Sequence, residues 1–300
     1  MTDVIEQLES IDGVIARKDE LLSMHTTFGV GGPCDLMLWV SNRTALRQVL
    51  QISRSHSIPV TLLGKGSNVL VRDGGIDGVV IRLADDFSAI ELHENRIRAG
   101  GGASLSEVVS KATSSGIGGL DFLAGIPGTV GGAVITNAGS GDTWLSHRTL
   151  QVSLLTDDLR EVELEEGDVG FGYRTSGIGE GLVVLEVLLA GSLSSVEEAR
   201  RGVEEHLSRR RSTQPAGEST AGCVFKNPPG NVAGRMIDEI GMKGFNIGGA
   251  RVSTVHANWI VNTGGATAGE ILNLIEEIRE RVRENYGADL DLEIRVLGRD

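Results

Sequence analysis

Residues 125–139 read Gly-Ile-Pro-Gly-Thr-Val-Gly-Gly-Ala-Val-Ile-Thr-Asn-Ala-Gly. The segment is too rich in glycine for an ordinary strand and too apolar for a flexible linker. Gly125, Gly128, Gly131, Gly132 and Gly139 permit positive φ and let the backbone approach a ligand closely. Pro127 fixes one φ among them. Such a run suits a rigid cradle of backbone N–H donors of the kind that holds a pyrophosphate. A tight corner in a packed domain is the other reading the segment alone allows.

Two further glycine segments stand upstream. Gly64-Lys65-Gly66-Ser67-Asn68 follows one expected strand and precedes another. It is not a dinucleotide fingerprint, because no G-x-G-x-x-G opens a helix there, and it is not a Walker loop. Taken alone it also reads as a polar hairpin turn. Ala99-Gly-Gly-Gly-Ala103 is a third place of close approach. Several glycine cradles in one chain point to a dinucleotide cofactor more strongly than any one of them.

The chain has 300 residues, 40% hydrophobic and 23% charged, as in a globular protein with a real core. Lys and Arg number 28 against 41 Asp and Glu, for a net charge of −13. An acidic chain is a poor partner for nucleic acid or a membrane surface, so an anionic ligand needs a local basic site. Two cysteines, Cys34 and Cys223, make no disulfide framework and point to a reducing cytoplasm. The stretch Met1–Asp12 has no apolar signal region, and no run approaches the length of a membrane span. His25 and His256 lack metal-ligand spacing, so no metal is expected. A monomer is the expected state.

Apolar positions Leu46, Val49 and Leu50 place a helix over 43–56, stopped before Pro59. Strands are expected at 60–63, 69–71 and 78–83, and hairpins at 90–99 around Glu94-Asn95 and at 150–164 around Asp157-Asp158. Ser104-x-x-Glu107 reads as a capping box opening a helix to about Ser115. Residues 182–190 form an apolar strand. The charged stretch 194–211 reads as a solvated helix leading into a second domain. Thr267-x-x-Glu270 caps a last helix, 268–286, ended by Gly287. Leu290, Leu292, Ile294 and Val296 then alternate with polar residues as a strand. Helices and strands mix without regular βαβ alternation, so the expected class is α+β. The expected division is a partly helical lead-in at 1–22, a cofactor region at 23–192 and a smaller domain at 193–300.

Three residues carry possible chemistry. Cys223, in Ala221-Gly-Cys-Val-Phe-Lys-Asn-Pro228, bears a thiol that is mostly protonated at neutral pH and serves as proton donor or nucleophile. Arg174, in Phe171-Gly-Tyr-Arg174, is a permanent cation after an aromatic. Glu293 lies mid-strand on a polar face. Judged alone, each reads more readily as a structural residue: an inert core thiol, a surface arginine, a solvated carboxylate.

Together the blocks GKGSNVL (64–70), GIPGTVGGAVITNAG (125–139), FGYRTS (171–176), AGCVFKNP (221–228), GMKG (241–244) and HANWIVN (256–262), in this order, resemble the UDP-N-acetylenolpyruvoylglucosamine reductases (MurB). The resemblance runs from His25-Thr-Thr-Phe28 to Leu292–Gly298 and fits the shorter subgroup of that family. It implies a vanillyl-alcohol-oxidase/PCMH-type FAD-binding region followed by an α+β substrate domain. It also implies reduction of the enolpyruvyl ether of UDP-N-acetylglucosamine to UDP-N-acetylmuramate, with NADPH as hydride donor, in peptidoglycan precursor synthesis.

By the same resemblance, Arg174, Cys223 and Glu293 are catalytic: Arg174 holds the enolpyruvyl carboxylate, Glu293 acts with it on the developing enol, and Cys223 is the proton donor. Many relatives carry serine at 223. FAD, bound non-covalently, falls to Gly64, Lys65, Gly66, Ser67, Asn68, Gly125, Ile126, Pro127, Gly128, Thr129, Gly131, Gly132, Ala133 and Asn137. Tyr173, Asn227, Lys243 and His256 fall to the substrate, His256 standing where some relatives have glutamine. Ser140-Gly-Asp142 departs from the usual Ala-Tyr-Gly of the flavin loop. An FAD-dependent sugar or hydroxy-acid oxidase, or a UDP-sugar sensor that has lost the chemistry, are the competing readings.

Overall fold

The computed structural model describes residues 2–179 and 181–300. They divide into two compact units, each woven from three stretches of chain. Unit 1 comprises Met1–Arg17, Leu36–Gly64 and Gly78–Arg210, and unit 2 comprises Lys18–Asp35, Lys65–Asp77 and Arg211–Asp300. The division therefore does not follow sequence order.

Unit 1 has two cores. Five helices belong to it: α1 (Thr2–Glu9), α2 (Arg43–Ser55), α3 (Leu105–Ser114), α4 (Val130–Ile135) and α5 (Val196–Thr213), whose last residues pass into unit 2. One core gathers Val4 and Leu8 of α1, Leu46, Val49 and Leu50 of α2, and Leu36, Leu38, Val79 and Ile81 from strands. Those strands belong to a sheet ordered Val14–Leu21, Pro33–Val40, Ile76–Leu83, Val60–Leu62. Val60–Leu62 runs parallel to Ile76–Leu83, with Val60 opposite Val79. Asn42 caps α2 by accepting from the Ala45 amide at 2.9 Å. The segment 1–22, expected as a partly helical lead-in, supplies helix α1 and, beyond the expectation, a sheet strand.

The second core lies on an antiparallel sheet ordered Glu161–Glu165, Thr149–Leu155, Val183–Ala190, Arg96–Gly100, Ile90–His93. Val152, Leu154, Val187, Leu189, Ile97 and Ala99 are buried in it, with α3 and α4 packed alongside. Both expected hairpins form, around Glu94-Asn95 and Asp157-Asp158. Two local expectations are corrected. Ser104 makes no side-chain cap to α3; its hydroxyl lies 2.7 Å from that of Ser106, a neighbour that competes for it. Helix α5 is not simply solvated, because Ala199 is buried and Val203 and Leu207 pack on this core.

Unit 2 is built around α7 (Ala268–Tyr286), preceded by the short α6 (Ala233–Glu239). Ile271, Leu274, Ile275, Ile278 and Val282 of α7 are buried together with Phe28, Phe225, Met236 and Ile237. The Thr267–Glu270 capping box is formed in both directions, and Gly287 ends the helix at φ 63°. Asp73 adds carboxylate bonds to the Ala268 and Gly269 amides at 2.8 and 2.9 Å, compensating the positive end of α7. The terminal strand is shorter than expected. Arg295–Leu297 forms the strand, parallel to Val69–Val71, while Leu292 makes a single bridge to Phe225, and Leu290 and Ile294 are buried in the core. Among the described residues no helix is long and apolar enough to cross a membrane.

Candidate active site

In unit 1 the glycine segments meet. A Cβ on Gly64 would stand 2.7 Å from Oγ1 of Thr129, the residue that caps α4. The segment 99–105 packs on 128–131: Gly101 and Ala103 carbonyls accept from the Gly131 and Val130 amides at 2.8 and 2.9 Å. Of the five glycines in 125–139, only Gly125 and Gly128 adopt positive φ, 74° and 149°. Gly131 and Gly132 are helical, and the first-turn amides of α4 are engaged inside the protein, Gly132 N–H donating to Thr129 Oγ1 at 3.3 Å. The cradle is thus braced by its own backbone bonds more than expected from composition.

Gly131 and Gly132 have different reasons to be glycine. A Cβ on Gly131 would sit 3.0 Å from the Gly101 carbonyl, so the fold excludes a side chain there. Gly132 is exposed, and a Cβ would meet nothing closer than Thr129 Oγ1 at 3.4 Å. Its bare surface costs α4 roughly 0.5–1 kcal/mol relative to alanine and gains the fold nothing. Packing therefore does not explain a glycine at 132. Ile126 is half-buried against the core, Pro127 is exposed and Ala133 is buried. The Arg210 side chain runs along Gly125, whose Cβ would lie 3.0 Å from Arg210 Cδ. The open surface at Gly132 and the Arg210 side chain beside Gly125 fit an anionic cofactor such as FAD.

Asn137 is 4% exposed, at φ 41°, and both ends of its amide are used. Its Oδ1 accepts from Ser146 N–H at 3.0 Å and its Nδ2 donates to the Gly172 carbonyl at 3.0 Å. It therefore ties the glycine segment to the turn that carries Arg174. In that turn Gly172 and Thr175 pair, leaving Tyr173 and Arg174 as its two central residues. Arg174 has φ 54°, a left-handed conformation that costs a non-glycine residue about 1–2 kcal/mol. Its guanidinium lies 5.4 Å from the centre of the Trp144 ring, and Nη1 donates to the Gly139 carbonyl at 3.4 Å.

Unit 2 holds Lys65–Asn68, Cys223 and Glu293. Gly66 has φ 63°, and its Cβ would strike the His25 carbonyl at 2.1 Å, so this glycine is required by the fold. Lys65 is exposed. Asn68 grips the chain around Glu293: its Nδ2 donates to the Glu293 carbonyl at 3.1 Å, and its carbonyl accepts from Arg295 N–H at 2.9 Å.

Cys223 and Glu293 come from neighbouring chain segments in register. Glu293 N–H donates to the Val224 carbonyl at 2.8 Å, Phe225 bridges Leu292, and Cys223 bridges Trp259 on the other side. Asn258, 4% exposed, locks this ladder. Its Oδ1 accepts from Phe225 N–H at 2.9 Å and its Nδ2 donates to the Phe225 carbonyl at 2.8 Å. Asn258 was not singled out from the sequence, although it lies inside the HANWIVN block. A buried amide flanked by apolar residues was the available signal.

The expected substrate residues are spread over the same unit. Asn227 is exposed and accepts from Ala233 N–H at 3.0 Å, serving the start of α6. Lys243 pairs with Asp238 at 2.6 Å on the surface. His256 is half-buried, and its Nδ1 accepts from Asn258 N–H at 3.2 Å, which leaves the proton on Nε2. Burial, and then the Lys243 charge, lower its pKa, so it is neutral at neutral pH. A Cβ on Gly234 would come within 3.0 Å of His256 Cε1, so this glycine lets the ring pack on α6. Of the two cysteines, Cys34 is buried and its thiol is pushed up to about 11 by desolvation. Cys223 is half-buried. Among the described residues no cluster of His, Cys, Asp or Glu could hold a metal.

The family model described as the C-terminal domain of UDP-N-acetylenolpyruvoylglucosamine reductase matches residues 214–297, and an FAD-binding-domain model matches residues 34–163. UDP-N-acetylenolpyruvoylglucosamine reductase 2 of Symbiobacterium thermophilum is 38% identical over 99% of this chain and 98% of its own length. The enzyme of that name from Moorella thermoacetica is 42% identical over 93% of this chain and 92% of its own. The crystal structure of the Thermus caldophilus reductase, MurB, superposes with a TM-score of 0.82 at 38% identity, covering 95% of this chain and 99% of that one. Likeness at this level over the full length shows that the chain belongs to the UDP-N-acetylenolpyruvoylglucosamine reductase (MurB) family.

Proposed function

We propose that this protein reduces the enolpyruvyl group of UDP-N-acetylenolpyruvoylglucosamine to the lactyl ether of UDP-N-acetylmuramate, with non-covalently bound FAD and with NADPH as the electron source. One observation carries the reading beyond family membership. A thiol and a carboxylate, Cys223 and Glu293, are held on adjoining segments by the Glu293–Val224 bond and the Asn258 clamp.

FAD, when bound, supplies the hydride that reaches the terminal alkene carbon. An enolpyruvyl carbon accepts hydride only if its carboxylate takes up charge. Arg174 binds that carboxylate through its planar donor edge and stabilises the enolate-like state. Cys223 gives its Sγ proton to the neighbouring carbon and sets its configuration. Glu293 acts with Arg174 on the developing enol. Tyr173, Asn227, Lys243 and His256 recognise the nucleotide-sugar, His256 as a neutral Nε2–H donor. Gly64–Asn68 and Gly125–Ala133 hold FAD, while Asn137 acts by fixing the turn between them and Arg174. The stretches 23–192 and 193–300 are proposed as cofactor and substrate domains in the evolutionary sense. Two free thiols suit a reducing cytoplasm.

The test is an anaerobic two-step spectrum of the purified holoenzyme. Bound yellow flavin should bleach with NADPH and recover when the enolpyruvyl nucleotide-sugar is added, with UDP-N-acetylmuramate formed. Flavin that bleaches but ignores that substrate would overturn the reading in favour of an oxidase or another reductase.

A further inference from the structure

We propose that Trp144 is a positioning residue for this reaction: its indole sets the plane of the Arg174 guanidinium and seats Tyr173. The inference rests on the carboxylate-binding role assigned above to Arg174.

The turn 172–175 presents Tyr173 and Arg174 at its tip, with Arg174 in a left-handed conformation. Trp144 meets both. Arg174 Cζ lies 5.4 Å from the indole centre. The Tyr173 ring stands edge-on at 5.4 Å and 75°. Trp144 is itself well anchored. It pairs with Gly139 across a two-rung hairpin, Gly139–Ser140 against Thr143–Trp144. The following residue, Leu145, is fully buried and donates to the Ala138 carbonyl at 2.8 Å. The acceptor for Arg174 Nη1 is the Gly139 carbonyl, so ring and acceptor lie on one rung. Gly139 is demanded by this closeness, since a Cβ there would meet the Thr143 carbonyl at 2.4 Å.

A guanidinium has a flat face and a donor edge, and it binds carboxylate with the edge. A cation held over an indole at this distance is drawn to the ring quadrupole, with a contribution of about 0.5–2 kcal/mol, and that attraction biases where the donor edge points. The hairpin Gly139–Trp144 brings the Trp144 ring to Arg174.

The test compares Trp144→Phe and Trp144→Leu holoenzymes by anaerobic stopped flow, with Arg174→Ala and the Trp144→Leu/Arg174→Ala pair completing a cycle. NADPH-driven bleaching should stay within about 2-fold of the unsubstituted enzyme. Substrate-driven recovery should fall about 10-fold or more in Trp144→Leu and less in Trp144→Phe, the order of ring quadrupole strength. Trp144→Leu should add under about 2-fold when Arg174 is already alanine, as coupled residues do. Full recovery rate in Trp144→Leu, or an undiminished effect in the Arg174→Ala background, would overturn the proposal. If Trp144→Leu does not fold, Trp144→Phe decides: a recovery rate equal to the unsubstituted enzyme's overturns it. Failure of the unsubstituted enzyme to use the substrate would instead overturn the reaction assigned above.

Discussion

The two regions that present catalytic candidates are held by different means. Cys223 and Glu293 sit on a backbone ladder closed by the buried amide of Asn258. Arg174 sits at the tip of a two-residue turn, in a left-handed conformation, and its contacts include the Trp144 ring and the Gly139 carbonyl. A ladder fixes the chain whatever side chain it carries, so a thiol at 223 can replace a hydroxyl without disturbing its neighbours. A guanidinium held over a ring depends on the side chains around it. The first region should tolerate chemical substitution and fail when its clamp is cut; the second should keep its fold and lose alignment by small changes.

The largest effect expected on this contrast is at Cys223. Cys223→Ala should slow substrate-driven flavin recovery by about 10²–10⁴-fold, the usual worth of a positioned proton donor, and leave NADPH-driven bleaching intact. Cys223→Ser should keep much of the activity. Single-turnover kinetics of the three proteins tests this, and normal turnover of the alanine variant sinks the proton-donor role.

Cutting the clamp comes next. Asn258→Ala leaves the Phe225 N–H and C=O buried without their partner and should cost roughly 2–4 kcal/mol of stability. Urea unfolding measures it. A loss under 1 kcal/mol, on the order of one ordinary hydrogen bond, would mean that the ladder holds Cys223 without Asn258.

Alkylation separates the two thiols. Native protein at pH 8 should take iodoacetamide at Cys223 and not at Cys34, which is 1% exposed and pushed up to about 11. Peptide mass spectrometry reads the sites. Labelling of Cys34 before unfolding would contradict its burial.

Gly132→Ala is a smaller change with opposed signs. It should stabilise the flavin-free protein by about 0.5–1 kcal/mol through helix propensity while weakening FAD binding. Thermal unfolding of the apoprotein and an FAD titration test the two halves. Unchanged affinity would remove Gly132 from the cradle.

The smallest expected effect is pH-dependent. His256 has a lowered pKa because burial, then the Lys243 charge, oppose its protonation, with Asp238 acting the other way. The unfolded chain therefore binds the proton more readily. The stability that neutral His256 contributes is complete above the ordinary value of about 6.5 and is lost as pH falls through the lower folded value. His256→Gln should flatten the fall in melting temperature between about pH 7 and pH 5. Parallel curves for the two proteins would exclude the histidine as its source.

Much of this was legible in the chain. Helix α2, both hairpins, the Thr267–Glu270 box and Gly287 were read from apolar spacing, turn residues and caps, because those signals act within a few residues. The ordered blocks carried the family. The division of the units was not legible. Lys18–Asp35 and Lys65–Asp77 join the C-terminal segment through pairings such as Arg295 with Val69, which no local pattern encodes. Ser104 shows the converse: a sound capping motif lost to a neighbouring hydroxyl.

The sequence by itself determined the secondary structure, the α+β class and the kinds of group available: a thiol, a carboxylate, a guanidinium and bare glycine backbone. Those follow from local sterics and from chemistry that a residue carries wherever it stands. Only the tertiary structure decided which glycines are demanded by packing and which are not. It alone decided that Asn137 and Asn258 are clamps, and that Trp144 meets Arg174. Each of these depends on atoms brought together from distant places in the chain, where burial and distance, rather than residue type, set the energy.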